Sequence, residues 1–384
     1  MINRKIETMI LFPMDRGLPP AYLNQVAQVI KDSNVVDYFH ISDQLQGWFP
    51  PSLWTDENTS FRALLPDADA NADPFAMGAF AAASAPGIGL TLSTDAIRRG
   101  PAEMMQGMLT MANFGSGRAI LQLGAGEIKN TAPYGWQRKE GLRRLEDHLR
   151  FYSAFWQDDQ RINLDGHFWS YKDATIGSSR NLRPRMWALG GGPKLIDLAT
   201  RYADGFSTMV PNVIPTPEKF HEFVKKTRSS LEQYGRNPDD FDFGPWTFVF
   251  IHEDRDVIRK AFTNPLIKWI AAIFGRFNNT DWSSYGLEGA FPNDWHYANQ
   301  LLPSWYTDPN FVNDILARVT PEMCELTFLC GDTQEVAAKI RPYIEAGATH
   351  IDLIDMGAAV LDPIDAQKHL ARQIEVCRLL KQSA

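Results

Sequence analysis

A chain of 384 residues, 44% of them hydrophobic, is long enough to bury one large α/β core rather than two small ones. Its formal net charge of −8, without any stripe of Lys and Arg, argues against a nucleic-acid surface, which needs concentrated cations against phosphate. Cys324, Cys330 and Cys377 include no C-x-x-C pair, so a disulfide framework and a zinc motif are excluded and a reducing cytoplasm is expected; Asn3, Arg4, Lys5 and Glu7 interrupt the first apolar residues against a signal peptide, and no run has the length of a membrane span.

Strands and helices alternate along the chain. Ile6–Phe12 is an apolar strand closed by Pro13, and Ala21–Lys31 follows with Leu23, Val26, Ala27 and Ile30 at helical spacing. Val35–Ser42 is the next strand and opens into residues 43–73, a long stretch rich in Trp, Pro, Asp and Asn whose length marks it as functional or inserted. The following units are helix Phe75–Ala85, strand Gly87–Ser93, Met-rich helix Pro101–Phe114, strand Arg118–Leu123 and helix Leu142–Trp156. A hairpin-like stretch, Arg161–Tyr171, precedes strand Arg185–Leu189, helix Lys194–Tyr202, strand Gly205–Val210, helix Phe220–Tyr234 and strand Phe243–His252. Residues 262–320 fit no unit and read as a second insertion. The chain closes on helix Thr333–Ala346, opened by an Asp332-Thr333 cap, strand Ile351–Ile354 and a last helix, Pro363–Leu380. The alternation is about what eight βα units require, so the expected architecture is α/β: one (β/α)8 TIM barrel over residues 1–384, with insertions at the C-terminal face of the barrel at about 43–73 and 262–320.

Signals for several other chemistries are weak or missing. Gly124-Ala125-Gly126 starts like a dinucleotide fingerprint, but Lys129 holds the third glycine position and no acidic ribose reader follows. There is no Walker A sequence, H-E-x-x-H or G-x-S-x-G, and His and Asp are too dispersed to announce a metal cage, which leaves a metal-dependent barrel hydrolase without a motif.

Four strand ends remain, where barrels place their chemistry. Ser42-Asp43-Gln44, with Trp48 beyond, sets a carboxylate and an indole where a planar coenzyme and a substrate could meet; a capping Asp and a buried Trp would read the same way. Thr91-Leu92-Ser93-Thr94-Asp95 ends a strand in small polar residues that present hydroxyls to a ring system or cap the next helix. In Gly124-Ala125-Gly126-Glu127-Ile128-Lys129-Asn130, two glycines let backbone approach a ligand and deliver an acid, unless Glu127 is an exposed loop residue. Gly190-Gly191-Gly192-Pro193-Lys194 is either a tight turn or a phosphate site, since free amides, the helix dipole and Lys194 favour an anion there.

Taken in order, S-D-x-x-x-x-W, G-x-T-x-S-T-D with R-x-G-P, S-G-R-x-I-L-x-L-G-A-G-E-x-x-N, R-R-L-E-D with F-W, G-G-P and A-D-G-F resemble the luciferase-like flavin and deazaflavin superfamily. Gly331-Asp332-Thr333-Gln334-Glu335-Val336 and Glu345-Ala346-Gly347-Ala348 are similar to its closing pattern. Asn130-Thr131-Ala132-Pro133-Tyr134-Gly135-Trp136 and the long loop after the second strand look closest to the deazaflavin branch, with its phthiodiolone-ketoreductase-like and glucose-6-phosphate-dehydrogenase-like members.

The resemblance implies coenzyme F420, with FMN as the alternative, lined by Asp43, Thr91, Leu92, Ala125, Gly126, Glu127 and Asn130, with Gly191 and Gly192 facing its phosphate. It also implies a non-proline cis peptide at Thr91-Leu92 and a homodimer. Many deazaflavin relatives carry His after the strand-end Asp as the base; this chain has Gln44, which cannot titrate. Reduction of an apolar carbonyl or conjugated small molecule is therefore favoured over alcohol oxidation, with Glu127 as first candidate for proton donor, Tyr134 and His40 behind it, and Trp48 shielding the reacting carbon. Trp269, Phe274, Trp282, Trp295 and Trp305 suggest an apolar cover from the second insertion. The competing readings are an FMN-dependent monooxygenase of the same fold and a non-catalytic flavin-binding barrel.

Overall fold

The strands run almost continuously apolar because their sheet is parallel and covered on both faces. The computed structural model describes residues 5–156, 161–177 and 182–382. Its strands are β1 (Glu7–Leu11), β2 (Tyr38–Ser42), β3 (Gly89–Asp95), β4 (Ala119–Gly124), the hairpin β5 (Ile162–Asp165) and β6 (Ser170–Ala174), then β7 (Arg185–Leu189), β8 (Gly205–Ser207), β9 (Met209–Val210), β10 (Asp242–Phe243), β11 (Trp246–Ile251), β12 (Leu329–Gly331) and β13 (His350–Asp355). Apart from the antiparallel hairpin, these form one parallel sheet in the order β10-β8-β7-β4-β3-β2-β1-β13-β11-β12, with β9 joined to β11. Since β9 follows β8 and β11 follows β10 after short breaks, those pairings curl the sheet back toward its own edge.

Helices cover the outer face. Many begin with proline at the first helical position, where the missing N–H costs nothing. The helix Pro74–Ser84 is capped by Asp73 on the Ala76 amide, Pro217–Gln233 by Thr216, and Thr333–Glu345 by a reciprocal Asp332/Glu335 capping box. The Met-rich helix Pro101–Phe114 buries Met104, Met105, Met108 and Met111 beside β4.

Several expected boundaries shift. The strand expected over 205–210 is interrupted at Thr208, and the one over 243–252 at residues 244–245. The last helix is two, Pro363–Ala366 and His369–Lys381. Residues 262–320 are mainly helical, with Pro265–Phe274 and Pro309–Arg318 as the longer pieces, and the helix Pro321–Thr327 then leads into the unexpected β12. Their start signals are legible in hindsight: Asn264, Asp308 and Thr320 each precede a proline and cap the helix that follows. These helices form a second apolar cluster around Trp269, Phe274 and Trp282, which also takes in Phe248 from β11 and Leu53 from the stretch after β2. Among the described residues, no helix is long and apolar enough to cross a membrane.

The Thr91–Leu92 peptide is trans, contrary to expectation; the cis bond in the described chain is Val210–Pro211. β3 pairs with β4 in unbroken register from Leu90 to Asp95, leaving no bulge there that would require a distorted bond.

Candidate active site

Four of the predicted strand ends converge on one cavity of about 460 Å³, a size suited to a small organic ligand or part of a larger one. Asp43, Gln44, Trp48, Ala125, Gly126, Glu127, Asn130, Gly191, Gly192 and Lys194 all line it. Thr91 and Leu92 do not. Thr91 sits one layer deeper, its hydroxyl 3.6 Å from the Met9 sulfur, and Leu92 belongs to the apolar core; the same strand meets the cavity instead through Ser93, Thr94 and Asp95. Tyr134 is also displaced from the expected site, being 46% exposed and packed against Trp136 outside the cavity lining.

The loop after β2 is locked to the loop after β4 by side chains that mimic backbone pairing. Asn130 Oδ1 accepts from the amides of Leu45 (3.0 Å) and Gln46 (3.2 Å), while its Nδ2 donates to Gln44 Oε1 at 2.8 Å. Lys129 completes the latch. Its side chain is 1% exposed, and its ammonium donates to Gln44 Oε1 and to the Gln46 carbonyl (2.7 Å). It also lies 3.1 Å from Glu127 Oε2 and 5.7 Å from the Trp48 ring centre. Burial pushes the Lys129 ammonium below the usual lysine range, with Glu127 opposing that shift. Gln44, expected to stand where relatives keep a base, is thus an acceptor that holds a buried cation.

Asp43 is equally committed. Its Oδ2 accepts from the Thr94 hydroxyl at 2.6 Å and from Arg98 at 2.9 Å, and it pairs with Arg99. Asp95 orients Arg98 by accepting from its backbone amide at 3.0 Å, and the Ile97 amide donates to the same oxygen at 2.8 Å. The arginines were not singled out from sequence, although both lie in the R-x-G-P segment.

Gly126 holds φ +88° and Gly190 φ +151°, conformations that disfavour any side chain, so the glycines shape the rim rather than merely loosening it. Gly192 leads into the helix Pro193–Tyr202, whose N-terminus no side chain caps, and a Cβ built on Gly192 would meet nothing within 4 Å. Among the described residues, four polar atoms of the cavity lining, Trp48 Nε1, Thr208 Oγ1, Arg138 Nε and Glu127 Oε2, are buried without a hydrogen-bond partner, Glu127 Oε2 lying 3.1 Å from the Lys129 ammonium. Unpaired buried donors are costly, and a bound polar ring system would satisfy them.

The cover differs in detail from expectation. Of the five aromatics named for it, Phe274 lines the cavity, edge-on to Trp48 at 5.4 Å. Trp269 is buried behind, its indole N–H donating to the Trp48 carbonyl at 2.7 Å, Trp282 is in the core, Trp295 stacks on Phe291 at 3.8 Å, and Trp305 is 62% exposed. Phe277, His296 and Tyr297 take the lining positions instead. Burial, helped by nearby Arg138, pushes the His296 imidazole below its usual value, so it is neutral near pH 7.

Below these groups lies a buried row: Ser93 Oγ is 2.7 Å from His40 Nε2, and His40 Nδ1 is 2.9 Å from Asp352 Oδ2.

Residues 53–350 match the model of the family described as luciferase-like monooxygenase. A phthiodiolone/phenolphthiodiolone dimycocerosates ketoreductase from Mycobacterium kansasii is 25% identical over 343 residues, covering 88% of this chain and 91% of its own. One of the same name from Mycobacterium sp. (strain JLS) is 30% identical over 323 residues, covering 82% and 81%. An F420-dependent secondary alcohol dehydrogenase, solved in complex with an F420-acetone adduct, superposes with a TM-score of 0.70 at 17% identity over 98% of this chain and 99% of its own, a likeness of fold.

Proposed function

We propose, from the premise that this chain belongs to the luciferase-like monooxygenase family, that it is a coenzyme F420-dependent oxidoreductase reducing an apolar carbonyl or conjugated small molecule. The observation that carries this reading is the cavity wall itself, where the uncapped Gly192 turn and the orphaned Trp48 and Thr208 donors adjoin an apolar half made by Phe248, Phe274 and Phe277. The relatives named ketoreductases support the substrate class. We read the chain as one domain, a (β/α)8 barrel with insertions at about 43–73 and 262–320, acting as a homodimer in the cytoplasm.

The residues present fit the coenzyme. Gly191, Gly192 and Lys194 would hold its phosphate, and Asp43, Ala125, Gly126, Glu127 and Asn130 its ring and chain. When bound in its reduced form, the deazaflavin supplies a hydride. The protein's own part is positioning: the Asn130–Gln44–Lys129 latch fixes the loop that carries Trp48, and Trp48 with Phe274 closes one side against water. Glu127, proposed from sequence as the proton donor, is tied to the Lys129 ammonium, which suits it to orienting the ligand better than to donating a proton.

The family description as monooxygenases favours one second reading, an FMN enzyme that activates oxygen. Anaerobic mixing of the protein with reduced F420 and a series of long-chain methyl ketones separates the two. Loss of the reduced-coenzyme absorbance only when ketone is present supports ketone reduction; turnover that requires FMN and oxygen supports the monooxygenase.

A further inference from the structure

We propose that Ser93 is the proton donor of this site and that His40 and Asp352 position and recharge it; the proposal rests on the carbonyl-reduction reading above. The three residues come from β3, β2 and β13, with Ser93 on the cavity wall and the other two behind it. Ser93 is 3% exposed, His40 1% and Asp352 0%, with the 2.7 Å and 2.9 Å contacts already described joining them in series.

Energetics assigns the protons. Among the described residues, none of Asp352 Oδ1, Asp352 Oδ2 and His40 Nδ1 has a hydrogen-bond partner, and the two groups meet as a 2.9 Å ion-pair contact. A buried carboxylate facing a bare ring nitrogen would carry the full desolvation cost, so Nδ1 bears the hydrogen on that side. The other ring nitrogen, Nε2, then faces Ser93 Oγ, either accepting from it or, in the imidazolium form, donating to it. The Trp246 ring lies 5.0 Å from the imidazole, and its N–H donates to Gln122 Oε1 at 2.6 Å, so it does not compete for the row. The Asp43 amide donates to the Ser93 carbonyl at 2.9 Å, tying the serine to the loop that begins the ligand wall.

With the new C–H bond made by the hydride that a bound, reduced deazaflavin would supply, the carbonyl oxygen would take the proton of the Ser93 O–H. The His40 Nε2–H proton refills the serine oxygen, leaving a neutral imidazole with its Nδ1–H toward the Asp352 carboxylate. After product leaves, a proton from bulk solvent returns through Ser93 to Nε2, so that each turnover consumes one hydride and one solvent proton. Ser93 touches the reacting oxygen, whereas His40 and Asp352 act through it and are positioning residues.

The test has two arms on the full-length protein. Nitrogen NMR of ring-labelled histidine, in the protein without coenzyme, is expected to show a His40 Nδ1–H whose resonance moves in Asp352→Asn and an Nε2 resonance that moves in Ser93→Ala; a His40 signal indifferent to Ser93→Ala overturns the relay. In turnover with reduced F420 and long-chain methyl ketones, Ser93→Ala is expected to lower kcat about 100-fold or more while F420 affinity stays within about threefold, and Ser93→Thr to restore most of the loss. Wild-type turnover matched by Ser93→Ala overturns the relay and leaves the function standing. A wild-type protein that binds F420 but reduces no carbonyl overturns the function and the relay with it.

Discussion

Lys129 Nζ lies 3.1 Å from Glu127 Oε2 with 1% of the lysine side chain exposed, so the cavity rim is built on a buried cation whose carboxylate partner reaches the ligand space. Removing one member strands the other. Glu127→Gln is expected to lower the unfolding free energy by about 1–3 kcal/mol, because the ammonium loses its counter-charge in a poorly solvated place. The double variant with Lys129→Met should fall short of the summed single effects by about 1 kcal/mol or more in urea unfolding. Simple additivity would mean that the two groups do not stabilise each other.

Asp43 brackets Arg98 and Arg99 together. Asp43→Asn keeps the shape but removes the charge, and is expected to cost about 2–4 kcal/mol of stability and to weaken F420 binding about tenfold or more. Calorimetry and fluorescence titration on the same preparation measure both, and an unchanged value for each would deny the carboxylate its structural and ligand-facing roles.

The glycine turn makes a paired prediction. A methyl group at Gly192 meets nothing within 4 Å, whereas one at Gly191 would lie 2.6 Å from Val213 Cγ1. Gly192→Ala should therefore fold with an unchanged Tm yet lose about tenfold in F420 affinity by crowding the phosphate, while Gly191→Ala should lower Tm as well. Equal ligand affinity in Gly192→Ala and the wild type would remove the phosphate from this turn.

His148 supplies a pH dependence. Burial lowers its imidazole from 6.5 to about 3, and its Nε2 is 3.1 Å from the carbonyl of Arg99, behind the Asp43 cluster. The folded protein keeps it neutral while the unfolded chain takes up a proton below about pH 6.5, so its contribution to stability is present at neutral pH and is lost as pH falls toward about 3. The loss is roughly 4 kcal/mol across that window. His148→Gln, which cannot titrate, should flatten this part of the unfolding free energy against pH; an unaltered slope would place the acid sensitivity elsewhere.

Much of the site was legible because its signals are local. Glycines at strand ends, a carboxylate after β2 and the Gly190–Gly192 turn before a helix are each written within a few residues, and the alternation of strand and helix brings them to one end of the sheet. What stayed hidden depends on contacts distant in sequence. Nothing around Lys129 distinguishes a buried lysine from a solvated one until Gln44 and Gln46 fold over it. His40 was legible as a titratable residue near the site, but its place in a row with Ser93 and Asp352 requires strands separated by most of the chain. Thr91 and Leu92 were off by one layer because carrying positions across from relatives fixes the strand but not the height at which its residues meet the ligand.

The most direct test is the affinity of the purified protein for F420 and, separately, for FMN, measured by fluorescence titration at matched concentrations. Micromolar or tighter F420 binding with markedly weaker FMN binding is expected, the F420 affinity falling about tenfold or more in Asp43→Asn. Tight FMN binding with none to F420 would contradict it and assign the cavity to a flavin.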